Sequence, residues 1–334
     1  MRYKSIVVTK RGGPEFLQLL ESDLRAPAAN EARIRILATG VGRTDINYRY
    51  GLSPFAPRVP FVPGYEMMGI VDAIGKGVTR VAVGDRVAAL IGHGGYSEMI
   101  YLGQEHFVQV PETLDPADVV TVVLNYVSAY QMLHRVAKVK AGDKVLINGA
   151  SGGMGTALQE LGKLAGLKMY GTASKSKHEI LTAFGATPID YHSQDFVEVM
   201  GQAEPNGLDF VFEGIGGKDT DRAMSVVRKG GKVVGYAAPV GLSSILQDAF
   251  KWMMSSLIPN ERKYEFYGIT ALYLRNKRPF MEDLPKLFQM LEAGMIKPVI
   301  AAKLPLLEAR KANELLESGK VVSNLVLLAP ELMV

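Results

Sequence analysis

Lys144-Val145-Leu146-Ile147-Asn148-Gly149-Ala150-Ser151-Gly152-Gly153-Met154-Gly155 sets a glycine-rich turn directly between an apolar run and a helix-forming stretch, Gly155 to Ala165. Small residues at Ala150, Gly152 and Gly155 permit a tight turn, close approach of the backbone to a pyrophosphate and close packing of helix on strand. The helix start adds unpaired N–H groups and a positive dipole end. A second apolar strand, Lys168 to Ala173, follows on schedule. The stretch therefore reads as the opening of a dinucleotide-binding βαβ unit, in preference to a tight turn without ligand.

The end of that second strand selects the nucleotide, because a site for NAD usually places a carboxylate there to accept from the adenosine ribose. Here the chain runs Thr172-Ala173-Ser174-Lys175-Ser176-Lys177. It offers hydroxyl and ammonium donors that suit a 2′-phosphate, and no acid. NADPH is the expected cofactor.

Outward from the turn, apolar strands alternate with helical segments. Helix Lys177 to Phe184 is followed by strands at Leu208 to Phe212, Lys232 to Tyr236 and Glu265 to Leu274. Such alternation predicts a parallel, doubly wound α/β sheet. The first third differs: short β-rich runs (Ser5 to Thr9, Ala32 to Thr39, Met68 to Ile74, Arg86 to Ile91, Ser97 to Tyr101) alternate with Gly/Pro turns, predicting an irregular, barrel-like β domain. The tail from Glu282 reads as helical and ends in a strand, Ser323 to Leu328, so the nucleotide domain is an insertion. The patch Phe250, Trp252, Met253, Met254 and Leu257 reads either as buried helix or dimer contact, or as a site for a lipid or partner.

Composition narrows the classes of function. The 334 residues, 48% apolar, suffice for sizeable cores. A net charge of +4 without Lys/Arg blocks argues against nucleic acid as a partner. The start, MRYKSIVVTKRGG, reads as a first strand and not as a secretory signal. No apolar stretch approaches the roughly 20 residues of a transmembrane helix, and a cytoplasmic location is expected. Absence of cysteine removes disulfides, thiolate catalysis and cysteine-ligated zinc. The five histidines, His93, His106, His134, His178 and His192, show no paired metal spacing.

GASGGMG, VGDRV, PGYE and the C-terminal KPVI…PLLEA…LLESGK…LVLLAP together resemble the zinc-free quinone oxidoreductases of the medium-chain dehydrogenase/reductase superfamily, over essentially the whole chain. The stretches 124–130, 171–179 and 188–192 are most similar to the synaptic vesicle membrane protein branch, the vesicle amine transport protein homologues. The resemblance implies a GroES-like catalytic domain of residues 1–124 and 277–334, a Rossmann-type domain of residues 125–276, and NADPH held in a cleft between them. It implies that Ser151, Gly152, Gly153 and Met154 cradle the pyrophosphate and that Ser174, Lys177 and Tyr191 contact the 2′-phosphate end. Ser128, Ile215, Tyr236 and Thr270 match positions nearer the ribose and nicotinamide. Three departures fall where relatives border nicotinamide or substrate: Gly42, Ser53, and Asn324 of Ser323-Asn324.

The segment Gly40-Val41-Gly42-Arg43-Thr44-Asp45 resembles the GxCxTD of zinc alcohol dehydrogenases with glycine for the ligating cysteine, and Pro63-Gly64-Tyr65-Glu66 resembles their PGHE with tyrosine for histidine. Glu66 alone does not hold a zinc ion that requires about three protein ligands, so no zinc is expected. Without a Lewis acid to stabilise an alkoxide, alcohol oxidation is disfavoured. A quinone or α,β-unsaturated carbonyl accepts hydride with little beyond proximity and a hydrogen-bond donor on its oxygen. Tyr65, Tyr50 and Arg43 are the candidate donors. The rival reading is an NADPH-binding protein with little or no turnover that acts as a regulatory or peripherally membrane-associated module. Finally, the uncharged run Phe266 to Leu274, taken as the last strand, predicts a homodimer joined through the 265–274 edge.

Overall fold

A computed structural model describes residues 1–236, 250–253, 255 and 261–333. The chain divides into two compact units, Met1–Val127 with Lys277–Val334, and Ser128–Asn276.

In the first unit β1 (Arg2–Val8) pairs antiparallel with β2 (Leu17–Asp23), a strand not anticipated from sequence. The larger sheet is built on β3 (Glu31–Val41), which pairs with β4 (Glu66–Ile74), with β6 (Met99–Gly103) and with β15 (Asn324–Leu328). Along β3, Ala32, Ile34 and Ile36 face the core at period two, and from Ile36 onward the strand is covered on both faces. β5 (Arg86–Leu90), β7 (Val108–Gln109) and β14 (Ile300–Pro305) complete the order β14-β15-β3-β4-β5-β7. The two end strands do not pair, so the sheet stays open and no closed barrel forms. A helix the sequence reading passed over, Arg43–Tyr50, leaves β3 through Gly42, whose N–H donates to Asp45 Oδ2 at 2.9 Å. The tail is helical at Arg278–Glu292 and again at Ala309–Glu317.

Among the described residues the second unit holds six parallel strands: β8 (Lys144–Asn148), β9 (Lys168–Ala173), β10 (Thr187–Asp190), β11 (Leu208–Glu213), β12 (Val227–Gly235) and β13 (Lys263–Phe266). Their order is β10-β9-β8-β11-β12-β13. β8 reads as a continuous apolar run because helices cover both faces of a parallel sheet. Leu146, Phe196, Met200, Val211, Val226 and Val233 pack into one cluster against it. The winding direction reverses between β8 and β11, and a sheet of this topology opens its ligand crevice at the carboxyl ends of the strands flanking that reversal.

One expectation is overturned here. The run 265–274 is not an edge strand: the ladder ends at Phe266 and Ile269–Arg275 is a helix. A short apolar run carries no periodicity that separates strand from helix. Gly268 stops the extended chain and its carbonyl accepts from Leu272 N. The edge strand that remains carries Lys263 and Glu265, and Glu265 pairs with Lys232 at 2.7 Å. The uncharged edge from which a homodimer was expected is therefore absent. Of the apolar patch, Phe250, Trp252 and Met253 are exposed, while Met254 and Leu257 lie outside the described residues. Among the described residues no helix is long and apolar enough to cross a membrane.

Candidate functional site

The glycine turn occupies the carboxyl end of β8. Gly149 takes a left-handed φ of 86°, open to glycine at little cost. Gly152 caps the helix Gly153–Leu164 without any side-chain cap, so the first N–H groups of the helix have neither an intrahelical acceptor nor a capping oxygen. A Cβ on Gly155 would stand 2.5 Å from Ala150 O. Only glycine lets helix and turn approach this closely. From inside, Gln159 Nε2 donates to Ala150 O at 2.7 Å and to Gly155 O at 3.1 Å. Ser151, Gly153 and Met154 are half-buried and Gly152 is exposed, an arrangement that fits a pyrophosphate.

Three neighbouring strands end in polar side chains joined in a row. Thr172 Oγ1 on β9 accepts from Gly149 N at 3.0 Å and donates to Asn148 Oδ1 on β8 at 2.5 Å. Asn148 Nδ2 donates to Glu213 Oε2 on β11 at 2.7 Å. Glu213 Oε1 in turn accepts from Ile215 N at 2.6 Å and Gly216 N at 3.0 Å. Burial pushes the Glu213 carboxyl above its ordinary value, and these N–H donors oppose that rise. The sequence reading missed this row. Asn148 and Glu213 are ordinary strand-end residues until the fold sets the strands side by side.

The residues expected at the 2′-phosphate end lie just beyond β9 and β10. Ser174 and Lys177 close a short turn, with Lys177 N donating to Ser174 O at 2.8 Å. Partial burial lowers the Lys177 ammonium below its ordinary value. Tyr191 is exposed, its ring 4.3 Å from that of His192. Ile215 is also exposed, its Cδ1 within 3.3 Å of where a Cβ on Gly149 would stand. Tyr236 O–H reaches Asn148 O at 3.5 Å, and burial beside Glu213 holds its phenol protonated. Ser128 Oγ is buried with no hydrogen-bond partner among the described residues. An orphaned hydroxyl of this kind fits a position that meets a ligand. Thr270 sits in the first turn of the helix Ile269–Arg275.

The first unit brings together the residues read as remnants of a metal site. Asp45 Oδ1 accepts from Gly64 N and Oδ2 from Gly42 N, each at 2.9 Å, tying the two motif loops to each other. Burial nevertheless raises the Asp45 carboxyl to about 6, against those two donors. Glu66 is buried too, and a Cβ on Gly40 would stand 1.9 Å from its Oε1. Desolvation, then the charge of Asp45, pushes Glu66 well above its ordinary value. Among the described residues no three His, Cys, Asp or Glu side chains are grouped as a metal would need. Of the candidate donors, Tyr65 is buried with its ring 5.9 Å from that of Tyr48. Tyr50 is exposed beneath the Arg49 guanidinium, and Arg43 is exposed at the helix start. Ser53 Oγ accepts from Phe55 N at 3.2 Å. Asn324 is committed to its own unit: Nδ2 donates to Val299 O and Ser323 Oγ, and Oδ1 accepts from Asn125 Nδ2.

Comparison with known proteins agrees with this architecture. Residues 184–327 match the family described as Zinc-binding dehydrogenase, and residues 28–112 match the Alcohol dehydrogenase GroES-like domain. The chain is 28% identical over 339 residues to the synaptic vesicle membrane protein VAT-1 homolog of Danio rerio, covering 97% of this chain and 70% of that protein. It is 30% identical over 332 residues to a 2-haloacrylate reductase of a Burkholderia species, covering 96% and 98%. Among solved structures, Escherichia coli quinone oxidoreductase complexed with NADPH superposes with a TM-score of 0.86 at 26% identity, covering 97% of this chain and 99% of that one.

Proposed function

We propose that this chain, which belongs to the medium-chain dehydrogenase/reductase superfamily, is a zinc-independent, NADPH-dependent reductase of quinones or α,β-unsaturated carbonyls. The observation that carries the reading is the glycine turn at the reversal point of the second sheet, followed just beyond the end of β9 by Ser174 and Lys177 where an NAD site would carry an acid.

When bound, NADPH supplies the hydride. The N–H groups of Ser151 to Met154 would hold its pyrophosphate, Ser174, Lys177 and Tyr191 its 2′-phosphate end, and Ser128, Ile215, Tyr236 and Thr270 the remainder. In the first unit Gly42 and Tyr65 stand where a metal site of the resembling zinc enzymes has cysteine and histidine. Glu66, buried and favouring its protonated form, is a poor metal ligand because a carboxyl must ionise to coordinate. The acceptor oxygen then depends on a hydrogen-bond donor, for which Tyr65, Tyr50 and Arg43 remain the candidates. NADPH titration against NADH, followed by turnover with a panel of quinones and enones, tests the reading; equal affinity for both nucleotides defeats the cofactor assignment.

A second reading, nucleotide-responsive binding to a membrane surface with little turnover, is favoured by the exposed Phe250, Trp252 and Met253. Liposome flotation beside the same turnover assay separates the two.

A further inference from the structure

We infer that Glu213 is a positioning residue, a buried strut that fixes the spacing between the glycine turn and the loop carrying Ile215; the inference rests on the nucleotide reading of that turn. Its two oxygens face different partners. Oε2 is bound by Asn148 Nδ2 at the end of β8, one residue before the turn, and Oε1 by the backbone N–H of Ile215 and Gly216 in the loop that leaves β11. With 1% of its surface exposed, the carboxylate has no water shell to compete with these donors.

The row continues past Asn148 in one polarity. Asn148 uses its N–H toward Glu213, which leaves Oδ1 to accept from Thr172 Oγ1, and that oxygen is then free to accept from Gly149 N. Ala150 N donates to Thr172 O at 3.0 Å, so both residues that open the turn are fastened to β9. At the other end Ile215 lies against Gly149, and a Cβ on Gly214 would stand 2.4 Å from Tyr236 Oη. The loop therefore has little freedom to slide relative to the turn.

An acceptor-only side chain suits this point because its three hydrogen-bond partners, Asn148 Nδ2, Ile215 N and Gly216 N, all donate. Glutamine would set its own N–H₂ either against the Ile215 and Gly216 N–H groups, losing both bonds, or toward Asn148, which must then flip and leave the Thr172 hydroxyl without its acceptor. A dinucleotide spanning the turn and the Ile215 loop senses their spacing, whereas a ligand confined to Ser174 and Lys177 does not.

The test measures binding of NADPH and of adenosine 2′,5′-bisphosphate, which lacks the pyrophosphate and nicotinamide half, to the full chain by calorimetry. Glu213→Gln is expected to weaken NADPH about tenfold, as loss of a buried charge-assisted hydrogen bond does, and to leave the bisphosphate within about twofold. Thr172→Val, at the far end of the row, should show the same selectivity, and the double variant should lose less than the sum of the two single losses. Unchanged NADPH affinity in Glu213→Gln, or equal weakening of both ligands, overturns the strut. Failure of the unmodified chain to bind either ligand overturns the nucleotide reading, and the strut with it.

Discussion

The glycine turn of the second unit follows the end of β8 and the buried carboxylates of the first lie just past β3, in the helix Arg43–Tyr50, and at the start of β4, yet they are built in opposite ways. The turn is made of consecutive residues, Gly149 to Gly155, and presents backbone N–H groups with few side chains. The carboxylate region gathers Gly40, Gly42 and Asp45 from one segment and Gly64 and Glu66 from another, and acts through side chains kept from water. A site made of neighbours in sequence survives as a legible motif. One made of distant side chains shows only its residue types in sequence, and loses its chemistry when a ligand position changes.

The sharpest way to break the contrast is Gly155→Val. Its branched side chain has nowhere to go beside Ala150 O, so overpacking is expected to cost about 3 kcal/mol or more in stability and to weaken NADPH roughly a hundredfold or more. Wild-type binding by calorimetry would show that the turn does not depend on close helix approach.

The opposite region predicts a dependence on pH instead of on shape. Asp45 titrates near 6 in the fold against an ordinary 3.8, so the folded state favours the proton. The stability it confers is complete below about pH 4 and is lost as the pH rises through about 6, amounting to about 3 kcal/mol. Asp45→Asn should flatten urea-derived stability across that window. A slope identical in parent and variant would contradict the assignment. Within the second unit Glu204 runs the other way: Lys144, Lys168 and Tyr170 outweigh burial and hold it at about 2. Its share of stability is present above about pH 4.5 and fades as the pH falls toward 2.

Lys177→Ala should lower NADPH affinity by about 2 kcal/mol, near thirtyfold, and leave NADH unchanged. Retention of the full preference would shift the 2′-phosphate contact to Lys175.

The smallest expected effect is at Ser128. Ser128→Ala removes an orphaned hydroxyl, so thermal stability without ligand should stay level or rise, while NADPH affinity drops by about 1 kcal/mol. A fall in ligand-free stability would mean that the hydroxyl has a structural partner after all.

Much of the second unit was legible because its inner strands, β8 and β9 above all, are buried on both faces and bounded by glycine or polar turns. β8 and β9 begin and end where the apolar runs do. The run after Phe266 was misread for the same reason in reverse: uniform apolarity without a period does not distinguish strand from helix, and Gly268 decided it.

Residue order alone determined the α/β class, the glycine-rich turn between strand and helix and the loss of the cysteine and histidine that ligate zinc in the resembling enzymes, because each is written in adjacent residues or in residue types. Tertiary structure decided which polar groups meet. Thr172, Asn148 and Glu213 are separated by 24 and 65 residues along the chain, and only parallel strands in the order β9-β8-β11 bring their side chains into one row. It also decided that Asp45 and Glu66 keep their protons to a higher pH than an exposed carboxyl does, chiefly because burial has removed the water that would stabilise their charge.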